Sequence, residues 1–230
     1  MAIVFALAMV TVGVPAQASA DTGVTVFPGM EIHQGGTTCT LGFVEVGLRI
    51  ALTTSQCDDG SIVTDSHANV VGTVLMSRRN TADGAAADSP TAGVEYEVIT
   101  LAANVTATDT LPIGRTLQST PSLRAQTSLP VCHFGISTGQ TCGRVGSVGD
   151  NRFAISDVST DKRDNGGPVY TLTDNNRATM VGLFDATSKS AAQAQTWQAV
   201  MQQLYLDLRS PNAAQLPPGV HVAGTRVQRR

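Results

Sequence analysis

Four histidines, four cysteines and 18 aspartates and glutamates are the residues of this 230-residue chain best suited to acid–base or metal chemistry. Their spacing excludes most of it. His33, His67, His133 and His221 stand singly, with no i, i+4 pair to set two imidazoles on one helix face. No two cysteines show the C-x-x-C spacing of a zinc site, so neither a metal nor a cofactor is expected. Hydroxyl nucleophiles come next. Ser55 lies inside Leu52-Thr53-Thr54-Ser55-Gln56-Cys57, and Ser156, Ser159 and Thr160 run up to Arg163-Asp164-Asn165-Gly166-Gly167-Pro168-Val169. A hydroxyl attacks only when it is activated, and these read as strand or loop hydroxyls. His67, in the turn Asp65-Ser66-His67-Ala68-Asn69, reads as solvated.

The cysteines suit a different task. Cys39 and Cys57 form a close couple in the first half, Cys132 and Cys142 another in the second. Four cysteines permit three pairings. In an oxidising compartment the economical choice joins Cys39 to Cys57 and Cys132 to Cys142, each loop contributing roughly 3 kcal/mol; buried free thiols are the alternative. The N-terminus agrees with such a compartment. Ala2 to Val14 is an apolar run of 13 residues, followed by Pro15 and Ala18-Ser19-Ala20. Residues 1–20 therefore read as a signal peptide cut before Asp21, although no Lys or Arg precedes the run. A bilayer-spanning helix needs about 20 apolar residues, so no stable membrane span is expected. The expected location is secreted, extracellular or in the cell envelope.

The elements that must position these residues are mostly strands. Hydrophobic residues make up 42% of the chain and charged ones only 14%, with 22 glycines and a net charge of −3. That balance excludes a disordered polyelectrolyte and gives no basic footprint for nucleic acid. Short apolar or alternating runs bounded by turn residues predict strands at Leu41–Val46, Leu48–Thr53, Val70–Met76, Glu95–Leu101 and Val131–Gly135. The series continues at Cys142–Val148, Arg152–Ile155, Gly167–Leu172 and Met180–Phe184, with a turn at Asp174-Asn175-Asn176. Such a series suggests an all-β sandwich or barrel. Trp197, Val200, Met201, Leu204, Tyr205 and Leu208 instead fall on one helical face, predicting a helix from near Ala192 to Ser210-Pro211. Thr81–Thr91 reads as an exposed loop and residues 211–230 as a flexible, mildly basic tail.

Together Leu52–Cys57 and Arg163–Val169 resemble the trypsin/chymotrypsin-like serine peptidases, especially their secreted bacterial branch, where the two segments read T-A-x-H-C and G-D-S-G-G-P. Val94-Glu95-Tyr96-Glu97-Val98-Ile99 stands in the place of the strand that carries that family's aspartate. The segments Val131-Cys132-His133-Phe134-Gly135 and Thr138-Gly139 to Cys142-Gly143 resemble a cysteine-bounded stretch of the bacterial branch. The resemblance spans about Cys39 to Leu208. It implies an all-β fold of two barrels with a C-terminal α-helix over residues 21–210, and a triad at the barrel junction.

Carried over position by position, the triad becomes Gln56, Glu95 and Asn165, and the oxyanion-hole glycine becomes Arg163. A carboxamide is no general base, and Asn165 offers neither hydroxyl nor thiolate. Glu95 keeps a carboxylate one methylene longer. Arg163 disfavours the positive φ that a glycine would adopt. The family's buried Asp164 usually meets a cation, and here its expected structural partner is His133. The resemblance thus implies a peptidase homologue with no intact catalytic residue. It would act as a monomeric module that binds a peptide or protein outside the cytoplasm. A serine endopeptidase with an unorthodox or residual site, and a passive envelope protein, are the competing readings.

Overall fold

The computed structural model describes residues 23–79, 93–173, 176–185 and 192–209. The expected signal peptide, the Thr81–Thr91 loop, the 211–230 tail and two residues of the Asp174-Asn175-Asn176 turn lie outside them. Strands in the first half are β1 (Thr25–Val26), β2 (Glu31–Gln34), β3 (Thr37–Thr40), β4 (Phe43–Glu45), β5 (Ile50–Thr53), β6 (Ile62–Thr64), β7 (Val70–Arg78) and β8 (Tyr96–Leu101). The rest are β9 (Thr106–Ala107), β10 (Thr116–Gln118), β11 (Pro130–Gly135), β12 (Gly139–Val148), β13 (Arg152–Ser156), β14 (Pro168–Thr173), β15 (Arg177–Asp185) and β16 (Ala192–Thr196). Helix α1 (Trp197–Arg209) follows.

Each half curls into a barrel. The first sheet runs β3-β2-β6-β7-β8-β5-β4. Its ends meet because β3 and β4 are one bent segment: Leu41 N–H bonds the Met30 carbonyl at 2.8 Å and Gly42 N–H the Leu52 carbonyl at 2.9 Å. The second sheet runs β10-β15-β14-β11-β12-β13-β16 and closes through a β15–β16 pairing. Val26, Ile32, Leu41, Val63, Val71 and Ile99 fill the first barrel. Val131, Val145, Phe153, Val169, Val181 and Phe184 fill the second. A third cluster, including Phe43, Tyr96, Val98, Met180, Leu183 and Trp197, packs between the barrels and under α1. Both expected disulfides are present, Cys39–Cys57 and Cys132–Cys142.

The predicted helix is correct in its apolar face and wrong at its start. Ala192–Thr196 is strand β16, paired to β13 on one side and to β15 on the other. Ala and Gln favour a helix locally, but two sheet partners outweigh that weak preference. Helix α1 begins at Trp197, with the Thr196 hydroxyl accepting from Ala199 N–H at 3.3 Å. It buries Trp197, Val200 and Leu204. The β2 and β3 strands have no apolar alternation to announce them, since Gln34 and Thr40 are both buried.

Helix α1 also reaches back to the first barrel. Asp207 accepts two bonds from Arg78 Nη1, at 2.8 and 3.0 Å, and one from the buried Tyr96 hydroxyl at 2.6 Å. Burial, followed by the Asp207 carboxylate, pushes the Tyr96 phenol well above its usual range. Removing the carboxylate leaves that hydroxyl only the Met76 thioether, a weak acceptor at 3.3 Å. Asp207→Ala is expected to cost about 1–3 kcal/mol in urea unfolding, and Asp207→Asn, which keeps a carbonyl oxygen, distinctly less.

Candidate functional site

Two short 3-10 turns present the residues that the resemblance singles out. Ser55–Cys57 follows β5 and carries Gln56, and the Cys39–Cys57 disulfide ties its end to β3. Lys162–Asp164 precedes Asn165 and is capped by Asp161. Thr40 of β3 receives the second turn. Its N–H donates to the Asn165 carbonyl at 3.0 Å and its hydroxyl to the Arg163 carbonyl at 2.9 Å. Gly166 makes this approach possible. It adopts φ +80°, and a Cβ there would collide with Thr53 Oγ1.

The barrels bring Gln56, Glu95 and Asn165 into one chain of hydrogen bonds. Asn165 Nδ2 donates to Gln56 Oε1 at 3.1 Å, and Gln56 Nε2 donates to Glu95 Oε2 at 3.2 Å. The same nitrogen donates to Asp185 Oδ1 at 3.3 Å. A nitrogen facing two carboxylates fixes which way round this amide sits. Arg152 completes the cluster, bonded through Nη1 to Asp185 Oδ2 and through Nη2 to Glu95 Oε2 at 3.4 Å. The side chains of Arg152 and Asp185 are 6% and 2% exposed, so their ion pair is dry. Gln195 Oε1 accepts from Glu95 N–H at 2.6 Å, joining β16 to the chain entering β8.

Sequence reasoning missed Arg152, Asp185 and Gln195. The available signal was a lone carboxylate ending the apolar run Met180–Phe184, with one arginine opening the β13 run. Pairing them required the register of β13, β15 and β16.

The backbone around Asn165 is equally committed. Arg163 N–H donates to Asp161 Oδ1 at 2.9 Å, and Asn165 N–H turns to the Lys162 carbonyl at 3.3 Å. In triad chemistry the corresponding amides must face the developing oxyanion. Arg163 does not take a positive φ, so its N–H stays within the turn. The Arg163 amide and the Ser137 hydroxyl, at 2.9 Å, hold the Asp161 carboxyl below its ordinary range. The arrangement supplies no proton acceptor at Gln56, no attacking atom at Asn165 and no free pair of amides.

His133 and Asp164 are neighbours, but they do not pair directly. The Thr138 hydroxyl stands between them, 3.1 Å from His133 Nε2 and donating to Asp164 Oδ2 at 2.8 Å. Asp164 Oδ1 accepts from Ser137 N–H at 2.8 Å, so backbone and hydroxyl donors serve this buried carboxylate in place of a cation. His133 is fully buried and stacks on Phe184 with ring centroids 4.0 Å apart. Burial pushes its imidazole down to about 4, the Asp164 carboxylate pulling weakly the other way. A desolvated ring stays neutral, which is why no ion pair forms. Among the described residues, no group of three or more His, Cys, Asp or Glu side chains is placed to hold a metal.

Two proteins from different strains of Mycobacterium tuberculosis, the uncharacterized proteins MT1863 and Rv1815, are each 43% identical to the chain over 195 residues. The match covers 84% of this chain and 88% of each of theirs. The chain belongs to their family. No family model matches it. Its fold is that of the trypsin/chymotrypsin-like serine proteases. A glutamic acid-specific serine protease aligns with TM-score 0.59 and 18% identity, over 78% of this chain and 98% of that one. Protease A of Thermobifida fusca aligns with TM-score 0.54 and 20% identity, over 79% and 97%. An inactivated protease paralogue of the scabies mite aligns with TM-score 0.54 and 13% identity, over 78% and 93%. These likenesses establish the architecture of the Rv1815 family member described here.

Two outcomes follow for this family member. Asp185→Ala leaves the Arg152 guanidinium buried without its closest partner and is expected to cost about 3–5 kcal/mol in urea unfolding, whereas joint Arg152→Met and Asp185→Leu recovers most of that. The His133 ring favours the native state while it is neutral. Its folded pKa of about 4 lies below the ordinary histidine value of 6.5, so its contribution is complete above 6.5 and declines as pH falls toward 4. Nitrogen chemical shifts should show an uncharged His133 at pH 5.

Proposed function

We propose that this protein is a secreted homologue of the trypsin-like peptidases that performs no hydrolysis and binds an extended peptide or protein segment at its barrel junction. The observation that carries the reading is the closed chain Asn165–Gln56–Glu95/Asp185–Arg152. Two carboxamides occupy the base and nucleophile positions, and both are engaged in hydrogen bonds. Loss of even one triad member in such enzymes lowers turnover by about 10⁴- to 10⁶-fold. What remains then depends on the oxyanion site, whose Arg163 amide is held by Asp161. The scabies mite paralogue is described as inactivated and has the same architecture, so this fold and the absence of proteolysis are compatible.

Binding asks less of the structure than catalysis does. Strand addition needs backbone donors and acceptors beside a cleft and no nucleophile. Two disulfides suit an oxidising compartment, and the apolar segment Ala2–Val14 supports export. No described helix is long and apolar enough to cross a membrane.

A fluorophosphonate probe separates this reading from an unorthodox peptidase. No serine of the purified protein should be labelled; labelling of any serine overturns the proposal. The fourfold reversion Gln56→His, Glu95→Asp, Arg163→Gly and Asn165→Ser should become labelled at the introduced serine, and adding Asp161→Ala, which removes the acceptor that holds the amide at position 163, should increase that labelling. Selection from a random peptide display library should then enrich ligands that lose at least tenfold in affinity against Arg163→Glu. That side chain is 56% exposed and lies 3.5 Å from Asp161, so an unchanged urea-unfolding midpoint is the control required of the variant. Failure to enrich any sequence would favour a passive envelope protein.

A further inference from the structure

The two disulfides differ in what surrounds them. Cys39 and Cys57 are 2% and 1% exposed and belong to the core of the first barrel, with Thr53 Oγ1 3.6 Å from Cys57 Sγ. Cys132 is likewise buried, in the cluster between the barrels, but Cys142 is exposed. The sheet explains the difference. Strand β12 is paired to β11 from Gly139 to Arg144, whereas its pairing to β13 begins only at Arg144↔Ser156. Cys142 therefore lies on a stretch of β12 with one neighbouring strand. Arg144, two residues further on, projects from the same face, and its exposed guanidinium donates to the Ser128 carbonyl at 3.0 Å.

The bond also joins strands that are held without it. Cys132 and Cys142 are direct register partners, 10 positions apart, in a hairpin paired from Pro130↔Arg144 to Gly135↔Gly139. On its other side β11 is fixed by β14, where Cys132 faces Tyr170. Opening the disulfide leaves these ladders in place and the two sulfurs opposite each other, so the bond can re-form without refolding. Residues 136–138, the hairpin turn, lie beyond the ladder. They make the contacts that hold Asp164: the Ser137 N–H donates to its Oδ1 and the Thr138 hydroxyl to its Oδ2, both at 2.8 Å. Ile136 N–H adds a bond to Thr40 Oγ1 at 3.1 Å. Since Asp164 immediately precedes Asn165, the hairpin links the sulfurs to the turn at the barrel junction.

We propose that Cys132–Cys142 is a thiol-exchange site, entered at Cys142, whose opening loosens the hold on Asp164 and so on the turn that carries Asn165. The reagent is a low-molecular-weight thiol. Its thiolate attacks the exposed Cys142 sulfur, a new S–S bond forms there, and the bond to Cys132 breaks with its electron pair leaving on Cys132, which takes up a proton. A second thiolate then attacks the mixed disulfide, releasing the oxidised small thiol and freeing Cys142. Two small thiols are thus oxidised for one protein disulfide reduced. Burial shields the Cys132 sulfur from direct attack. The Arg144 guanidinium on the same face attracts the incoming thiolate and favours the thiolate form of Cys142. Cys39–Cys57 offers no exposed cysteine and stays closed. None of this depends on whether the cleft binds a peptide.

Titrating the folded full-length protein with reduced glutathione, then quenching in acid, alkylating and mapping peptides by mass spectrometry, tests this. Cys132 should become alkylated and Cys142 glutathionylated at a thiol concentration about tenfold or more below the one that opens Cys39–Cys57. In the opened protein the Ser137 amide hydrogen should exchange with solvent about tenfold faster, while amides in the β11–β14 ladder stay protected. The double variant Cys132→Ala, Cys142→Ala should show the same fast Ser137 exchange with no thiol added. Simultaneous opening of both disulfides, glutathione on Cys132, opening only in urea that unfolds the protein, or a Ser137 amide indifferent to loss of the bond would overturn the proposal.

Discussion

One carboxamide ties the barrel junction together. Gln56 reaches Glu95 at the entrance to the first barrel's β8, Asp185 at the end of the second barrel's β15, and Asn165 on the turn between. A neutral imidazole has one donor and one acceptor, so it bonds to one carboxylate while its other nitrogen stays free to take a proton. The glutamine amide has two donors on one nitrogen and can serve two carboxylates without acquiring charge. Asp185 and Gln56 therefore suit each other, and Asp185 in turn needs Arg152, since a buried carboxylate with only an amide donor would be poorly compensated. Substituting the base position has consequences that reach across the interface to β13 and β15.

The same logic extends to the backbone. An arginine at position 163 keeps to ordinary φ, the Lys162–Asp164 turn winds up, and Asp161 captures its first amide. Glycine would let the amide swing outward; the larger residue holds it in. Side-chain and backbone departures thus act in one direction, each turning a group that would face a substrate back into the protein. What results is a junction whose carboxamides and carboxylates are bonded to one another, while the Thr54 and Ser55 hydroxyls, Arg152 Nε and Gln195 Nε2 are buried there without a hydrogen-bond partner.

Much of this was legible in the residues, and the limits are instructive. Strands with apolar alternation, such as Glu95–Leu101 and Arg152–Ile155, announced themselves because period two is a local property. The disulfides followed from loop economy, and the positions of Gln56, Glu95 and Asn165 from the family resemblance of three segments, Leu52–Cys57, Val94–Ile99 and Arg163–Val169. Illegible were elements whose identity is settled by partners. Ala192–Thr196 has the composition of a helix start and becomes a strand because β13 and β15 accept it on both sides. Arg152 and Asp185 lie 33 positions apart and meet only through register. His133 looked like a partner for Asp164 on charge grounds. Burial keeps the ring neutral, and a threonine hydroxyl, five residues further on, provides the contact instead. Local pattern reports faces and turns; it does not report which buried charge meets which.

The glycines explain why the architecture does not depend on the reaction. A Cβ on Gly166 would collide with Thr53, one on Gly167 would press on the Phe134 and Asp164 carbonyls, and one on Gly42 would strike Leu183 and the Gly166 carbonyl. A Cβ on Gly135 would overlap the Asp164 carboxylate. None of these contacts involves a proton transfer or an attacking atom. They set how closely two barrels approach and where the Asn165 turn sits between them. Asp164, likewise, is bound by Ser137 and Thr138 to hold that turn in place. The segment Asp164-Asn165-Gly166-Gly167-Pro168 is therefore demanded by packing whether or not position 165 can attack. A chain that keeps those glycines keeps the cleft, and the chemistry within it is decided separately, by the side chains at 56, 163 and 165.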